Sequence, residues 1–450
     1  MKRRRLQNSV PYGLALVFIL SSMGSVIAQD SVRMITLEDA VQAALKNNKE
    51  IVLAELDEKI AAARYRQTDA VFLPQLNVSY TAMSTNNPLN AFGFKLQQQS
   101  ITVSDFNPDL LNNPSDTRDF VTRVDLQQPL LNLDMIYMRK AADRQVDLYS
   151  YKTKRTKEYL TFEVQKAYHQ LELAHHAVQV LEEALVTVQS IYTSASNRFE
   201  KGFLQKSDVL NVQVQVTSTE SKLAEARSNI RNASDYLSLL MGEPAGNIFR
   251  TETTLVDTAP VSNDGERKVS DSRSDFQALQ AAVEAQDFVL KSSKMNYLPK
   301  LNAFATYQLN DKEALGFGSD AYLAGIQLSW SLFKGMTTRS SIAAHQAERN
   351  KTAEQLNYQK EQSQLELNKT LRQLEDAKFH LRQQEAAVDQ AAEALRIVRN
   401  RYEQGLVATN DILLSQAQLS QQKLAQANAR FQYYVTETYL QFLTITSTQQ

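Results

Sequence analysis

Two copies of one structural unit fill the chain. The offset between Pro74 and Pro299 is 225 residues, whereas the offset between Gly202 and Gly405 is 203 residues. The first copy therefore carries about 22 additional residues (225 − 203) ahead of its glycine. We expect function from what such repeated units build together, and not from a single pocket. The recurring segments are FLPQLNVSY (72–80) with YLPKLNAFATY (297–307), RFEKGFLQKSDVL (198–210) with RYEQGLVATNDIL (401–413), and YLSLLMG (236–242) with YLQFLTI (439–445).

The first 28 residues have the pattern of a secretory signal peptide. A basic stretch at residues 2–5 precedes a short apolar stretch at residues 12–20, and small residues follow up to Ala28. The apolar stretch is shorter than the roughly 20 residues of a spanning helix. The chain has no cysteine, which excludes disulfides, thiol nucleophiles and lipid attachment to an N-terminal cysteine. We predict an exported protein that loses residues 1–28 and is not a lipoprotein.

Long helices are predicted from four runs that contain neither glycine nor proline. The first run is 69 residues long, and a helix of this length would extend about 100 Å, far beyond an ordinary globular domain. From Leu160 to Phe199, apolar residues recur at alternating steps of four and three, which is the heptad pattern of a coiled coil. Additional apolar residues such as Leu173 indicate a second stripe, so these helices need neighbours on two sides. A solvated coiled-coil rod has the same periodicity and stays an alternative. The four runs are residues 133–201, 203–241, 336–404 and 406–450.

Four shorter segments alternate between apolar and polar residues, as β-strands do. Their length of about 9–11 residues fits strands that cross an outer membrane. Tyr80, Tyr307 and Trp330 on the apolar faces favour this interpretation, although a half-buried strand of a soluble sheet alternates in the same way. The segments are residues 75–82, 120–128, 301–309 and 322–330. The polar faces, which we predict to line a water-filled lumen, contain Asn77, Ser79, Thr81, Arg123, Asp125, Gln127, Asn302, Thr306 and Gln308.

Four strands are too few to close a barrel. An open sheet edge in lipid would leave backbone groups unpaired, at a cost of several kcal/mol for each group. If the strands span a membrane, the chain must therefore oligomerise, to eight strands in a dimer or twelve in a trimer. Segments rich in Asn, Pro, Asp, Ser or Gly, at residues 86–119 and 311–320, are predicted to be surface loops between the strands.

Several segments are specific in their order, duplication and spacing. They are ITLEDAVQAALKNNKEIVLAE (35–55), the two LP-x-L-N strand starts, QPLLN (128–132) with SLFKG (331–335), and R-[FY]-E-x-G at 198–202 and 401–405. Together they resemble the TolC-like outer-membrane channels of efflux and type I secretion, over nearly the whole chain after the signal peptide. The resemblance implies a mainly α fold with transmembrane β-structure. Four strands per chain would enter the twelve-stranded β-barrel of a homotrimer, which a long α-helical barrel would continue.

The domain boundaries follow the repeat and the resemblance. Residues 29–241 are expected to form the first structural repeat, with helices, two strands and a long helical hairpin. Residues 273–450 are expected to form the second repeat. Residues 242–272 would join the repeats and contribute, with helices within residues 35–70 and the C-terminal end, to a belt midway along the helical barrel.

The resemblance also assigns roles to the ends of the helical hairpins. Lys201, Gly202, Phe203, Gln404, Gly405 and Leu406 would form the tips that dock a periplasmic adaptor. Asp208, Tyr402 and Asp411 would lie at the periplasmic entrance. Val407 and Leu414 stand where a relative can carry gate-forming Arg and Asp, so a polar latch would be reduced or built differently. From the residues alone, each glycine could simply break a helix, and each aspartate could simply complement a helix dipole.

No residue pattern indicates an enzyme, a cofactor or a metal site. The chain lacks a phosphate-binding glycine loop, GxSxG and HExxH, and His169, His175 and His176 have no further ligand in an obvious pattern. The 49 basic and 50 acidic side chains nearly balance, and nothing suggests nucleic-acid binding. We predict a passive outer-membrane exit duct for small molecules, coupled through an adaptor to an inner-membrane transporter. Alternatives are a protein-secretion or metal-efflux duct of the same fold, or a soluble periplasmic coiled-coil scaffold.

Overall fold

The computed structural model describes residues 32–252 and 268–445. The predicted signal peptide lies outside these residues, as do parts of the predicted linker and of the C-terminal end. The elements are β1 (Val32–Ile35), α1 (Leu37–Asn47), α2 (Lys49–Gln67), β2 (Gln75–Thr85), α3 (Pro88–Gln97), α4 (Pro108–Asn112), β3 (Thr117–Leu131), α5 (Leu133–Glu200), α6 (Lys206–Met241), β4 (Ile248–Thr251), α7 (Ser274–Met295), β5 (Lys300–Asp311), β6 (Ser319–Ser329), α8 (Thr337–Glu403) and α9 (Thr409–Thr444). Two single 3₁₀ turns, Thr68–Val71 and Val103–Phe106, stand between them.

The four long helices form two hairpins, α5 with α6 and α8 with α9. The hairpins lie side by side because α5 also packs against α9, which leaves α6 and α8 at the outer edges. The heptad seam of α5 is largely buried, with Val164, Leu171 and Ala195 fully enclosed. With 68 residues and a rise of 1.5 Å per residue, α5 is about 100 Å long, as the sequence predicts.

Four strands form one antiparallel sheet in the order β2-β3-β5-β6. The first and last strands of this sheet each have one edge without a strand partner among the described residues. The sheet joins the helices at the end opposite the hairpin tips, because β3 runs through Asn132 into α5 and β6 precedes α8. Phe304, which interrupts the alternation of β5, covers Gly325 on the neighbouring strand, where an added Cβ would stand 3.1 Å from the ring.

The segment between β2 and β3 is not a simple surface loop, so the prediction for residues 86–119 is wrong in this respect. It contains α3 and α4, and β3 already begins at Thr117. Proline at the first helical position and an asparagine cap start both helices: the Asn87 side chain accepts from Asn90 N–H at 3.2 Å. The residues that are additional in the first repeat fall here, since only residues 312–318 connect β5 to β6.

A small second sheet lies beside the middle of α5. Strand β1 pairs in parallel with β4, and Phe249 of β4 is fully buried in a core with Leu171 and Leu237. Asn48 links this region to the end of α6, because its side chain donates to Leu240 O at 2.7 Å. Neither strand was predicted from the sequence.

Candidate functional site

The two hairpins end in the same backbone turn. Gly202 and Gly405 have φ angles of +79° and +74°, in the left-handed region that glycine adopts without cost. Phe203 N–H donates to Arg198 O at 2.8 Å, and Leu406 N–H donates to Arg401 O at 2.9 Å. These bonds satisfy carbonyls at the end of the first helix in each hairpin, as in a Schellman cap. The glycines thus reverse the chain.

The residues of both predicted docking tips are exposed. Phe203 has 77% of its surface exposed and Leu406 has 69%, and both follow the glycine directly. Apart from the chain neighbours of each glycine, no atom of the described residues lies within 4 Å of a Cβ built on Gly202 or Gly405. Bare backbone flanked by an exposed apolar side chain at each tip is a surface that a partner can approach closely. Docking of an adaptor by Lys201, Gln404 and their neighbours stays a prediction.

Asp208 and Asp411 act as caps within their own helices. Asp208 accepts from Gln205 N–H at 3.3 Å, and Asp411 accepts from Ala408 N–H at 3.0 Å. Each carboxylate also lies in the first helical turn, where the helix dipole favours negative charge. This geometry supports the alternative that the aspartates are structural, and a role at the entrance stays a prediction.

Tyr402 lies inside the core between the two hairpins. Its exposure is 3%, and it packs with Val188, Ile412 and Leu413. Its hydroxyl has no hydrogen-bond partner among the described residues. No polar bond joins it to Asp208, so in the single chain the position associated with a gate contributes packing.

Arg198 lies beside the tip of the first hairpin and was not predicted to be functional. Its guanidinium donates to Tyr402 O at 2.8 Å and to Glu403 O at 3.1 Å. It also stands 4.6 Å from the centroid of the Tyr402 ring. Arg198 of the first hairpin therefore caps the C-terminal end of α8 in the second hairpin, where the helix dipole favours a cation.

All nine residues predicted to line a lumen share one face of the four-stranded sheet. The strand register places Ser79 opposite Arg123, and Arg123 opposite Gln308. Polar bonds cross the strands on this face: Thr306 Oγ1 donates to Asp125 Oδ1 at 2.7 Å. The shared face is the geometry that a lumen requires, and the lumen itself stays a prediction.

The opposite face of the sheet is apolar and exposed. Leu76, Val78, Tyr322 and Leu328 have exposures between 63% and 83%. A soluble monomer rarely leaves such a continuous apolar surface in water. This face needs a covering, such as lipid.

His169 and His175 of α5 have structural partners. His169 bonds to Glu172 at 2.7 Å and stacks on Tyr434, with ring centroids 4.9 Å apart. His175 bonds to Phe249 O at 2.9 Å. Burial lowers the pKa of His176 from its ordinary value of 6.5. Across residues 32–252 and 268–445, no group of three or more His, Asp or Glu side chains is placed to hold a metal ion.

Comparison with known proteins identifies the family. The family model described as "Outer membrane efflux protein" matches residues 40–243 and 267–444. The chain belongs to this family. The match divides at the boundary between the two repeats and includes both hairpins and all four strands of the large sheet.

Two curated relatives illustrate the range of the family. The alkaline protease secretion protein AprF of Pseudomonas aeruginosa is 22% identical over 427 residues, which cover 90% of this chain and 83% of AprF. The cation efflux system protein CusC of Escherichia coli O157:H7 is 28% identical over 203 residues, 45% of this chain and 39% of CusC.

A solved structure of CusC shares the fold over nearly the full length. The TM-score is 0.78 at 16% identity, and the alignment covers 92% of this chain and 93% of the other. The predicted fold class and the predicted family are thereby confirmed, and so is the prediction of an outer-membrane exit duct in its general form. None of the described helices combines the length and the apolar character that crossing a membrane demands.

Proposed function

We propose that this protein is a passive duct of the outer membrane, built from three copies of the chain. The observation that carries the proposal is the four-stranded sheet, which has two free edges, a polar face and an exposed apolar face. Three such sheets would close a twelve-stranded barrel and remove every free edge. The apolar faces would then contact lipid, and the polar faces would surround water.

The internal repeat supports this assembly from the helical side. Helix α2 begins at Lys49 and α7 at Ser274, so they are copies at the offset of 225 residues. Ala278 and Ala281 of α7 are buried, with exposures of 5% and 4%. The residues at the same positions of α2 are Leu53 and Leu56, which are 63% and 46% exposed. Helix α7 of the second repeat packs against α5 of the first repeat. A neighbouring copy of the chain would cover the leucines of α2 in the corresponding way.

We further propose that the hairpin tips dock a periplasmic adaptor, which couples the duct to an inner-membrane transporter. The exposed Phe203 and Leu406 and the bare glycines beside them support this role. The protein itself would perform no chemistry, since the transporter supplies the energy. We also propose that residues 1–28 are a signal peptide that is cleaved on export.

The cargo separates two candidate functions. We favour export of small molecules. Metal ions are included among these candidates because CusC, whose name describes cation efflux, has a similar structure. Secretion of a polypeptide is the second candidate, favoured by the match to AprF over 90% of this chain. A strain that lacks the protein would distinguish them: accumulation of dyes or metal ions supports efflux, whereas loss of one secreted polypeptide supports secretion.

Reconstitution into planar bilayers tests the duct itself. The purified protein is expected to insert as discrete conductance steps and to migrate on gels as a heat-modifiable trimer. Protein that forms no conducting unit under any condition, and that requires no detergent for extraction, would contradict the proposal and favour a soluble scaffold.

A further inference from the structure

The contact between the two hairpins of one chain has an aromatic centre. Phe162 of α5 is 7% exposed and lies 5.2 Å from Tyr439 and 5.7 Å from Phe442 of α9, measured between ring centroids. Since α5 and α9 belong to different repeats, this contact is a junction between repeats. The same junction occurs only once within a chain, because the chain has two repeats.

The duplicate positions of this junction are exposed on opposite sides of the chain. At the offset of 203, Phe162 corresponds to Leu365 of α8, which is 67% exposed. Tyr439 and Phe442 correspond to Tyr236 and Leu239 of α6, which are 46% and 68% exposed. The two outer edges of the hairpin pair therefore carry the two halves of a second junction, which only another copy of the chain can complete.

The contact of Arg198 at the hairpin tip also has a duplicate position that lacks its counterpart. Its duplicate is Arg401, which is exposed and whose side chain makes no hydrogen bond, ion pair or ring contact within the described residues. The ring beneath Arg198 belongs to Tyr402, which is 3% exposed, whereas the duplicate ring of Phe199 is 40% exposed. The guanidinium of Arg401, unpaired in the part of the chain that the structure describes, and the exposed ring of Phe199 thus occupy the positions that correspond to Arg198 and Tyr402.

We propose that Arg401 of one subunit caps α5 of the next subunit, by donating to the main-chain oxygens of Phe199 of the partner subunit and Glu200 of the partner subunit. The contact repeats the bonds from Arg198 to Tyr402 O and Glu403 O, with the phenylalanine ring in place of the tyrosine ring. The inference rests on the proposed trimer and specifies a contact within it.

The proposed contact has a physical consequence for the periplasmic end of the duct. Carbonyls at a helix C-terminus carry partial negative charge and lack partners within the helix, so an arginine fork satisfies them well. Six hairpins in a ring would alternate three contacts within subunits and three between subunits. A passing cargo requires the tips of neighbouring hairpins to separate. These contacts join the tips and oppose that separation.

Crosslinking tests the contact directly, because the chain has no cysteine of its own. The variant Glu200→Cys with Arg401→Cys is treated with a short bis-maleimide in detergent, where the trimer is verified by light scattering. The matched control, Arg198→Cys with Glu403→Cys, carries the corresponding pair within one chain.

The proposal predicts covalent dimers and trimers on a denaturing gel for the first pair, and monomers with an internal crosslink for the control. A verified trimer in which the control pair reacts and the first pair yields only monomers would overturn the contact while leaving the proposed duct intact. Failure to find any trimer would overturn the contact and the proposed function together.

A conductance measurement adds a functional readout. Arg401→Ala and Arg198→Ala are each expected to raise the single-channel conductance or the open fraction, because either change frees a pair of neighbouring tips. Arg399→Ala removes an exposed arginine two residues away and is expected to leave the conductance unchanged. Equal conductance for Arg401→Ala and the unaltered protein, with a raised value for Arg198→Ala, would refute the inter-subunit contact.

Discussion

Replacing Gly202 and Gly405 by valine should uncouple export from assembly. The φ angles of +79° and +74° are unfavourable for any residue with a Cβ, by roughly 1–2 kcal/mol per position, and more for a β-branched side chain. Apart from the chain neighbours of each glycine, no atom of the described residues lies within 4 Å of either added Cβ. The backbone strain of the turn is therefore the main expected effect.

This strain competes with the bonds that hold the turn. The Gly202 turn is closed by Phe203 N–H to Arg198 O and by Gly202 N–H to Phe199 O at 2.9 Å. Two such bonds contribute about 1–3 kcal/mol together, which is comparable to the strain that valine introduces. The turn is therefore expected to change its conformation and to displace the exposed Phe203. The sheet lies about 100 Å away along the helices and should be unaffected.

The assay combines export with a test of assembly. In a strain that lacks the unaltered gene, the double valine variant is expected to lose adaptor-dependent export while retaining a heat-modifiable trimer. Asparagine tolerates the left-handed conformation, so Gly202→Asn with Gly405→Asn should retain most export. Gly93→Ala is a neutral control, because its added Cβ also meets nothing within 4 Å.

One result would refute the reasoning about the tips. If the double valine variant assembles and exports normally, the conformation of the two turns does not matter for docking. The glycines would then be helix breakers only.

Three further predictions concern the fold. Gly242→Ala should cost roughly 2–4 kcal/mol, more than alanine at a tip, because φ is +70° and the added Cβ would stand 2.5 Å from Asn47 O; thermal unfolding followed by circular dichroism measures the difference. Ser274→Ala should cost about 1–3 kcal/mol, because buried Glu158 loses the hydroxyl that donates to it at 2.6 Å; serine-to-threonine at the same position provides a comparison that keeps the donor. Because the pKa of His176 is lowered in the folded protein, the unfolded chain binds this proton more strongly, and stability should fall as the pH drops through 6.5 and below. His176→Gln should therefore lose less melting temperature than the unaltered protein between pH 7 and pH 5. An equal loss in the two proteins would show that other groups cause it.

The sequence predicted the long elements well because their signals are local and repeated. The run at residues 336–404 lacks glycine and proline, and the helix α8 occupies Thr337–Glu403. Alternation likewise identified all four strands of the large sheet within a few residues of their ends, because one face is apolar and the other is polar.

Other features were not predictable from local patterns. Strands β1 and β4 have four residues each, VRMI and IFRT, and such short segments carry no measurable period. The Asn87–Pro88 pair starts a helix, but it lies in a segment whose Asn, Pro and Ser content predicts a surface loop. The bonds of Arg198 to the end of α8 join residues more than 200 positions apart, and only the packing of two hairpins brings them together.

The molecular mass of the purified protein in detergent tests the central claim most directly. The account holds that each chain supplies a third of a closed barrel, so light scattering corrected for bound detergent should give three chains of slightly less than 50.8 kDa each. A polypeptide that remains a monomer in aqueous buffer without detergent would contradict the account, because its apolar sheet face and free strand edges would then need neither lipid nor partners.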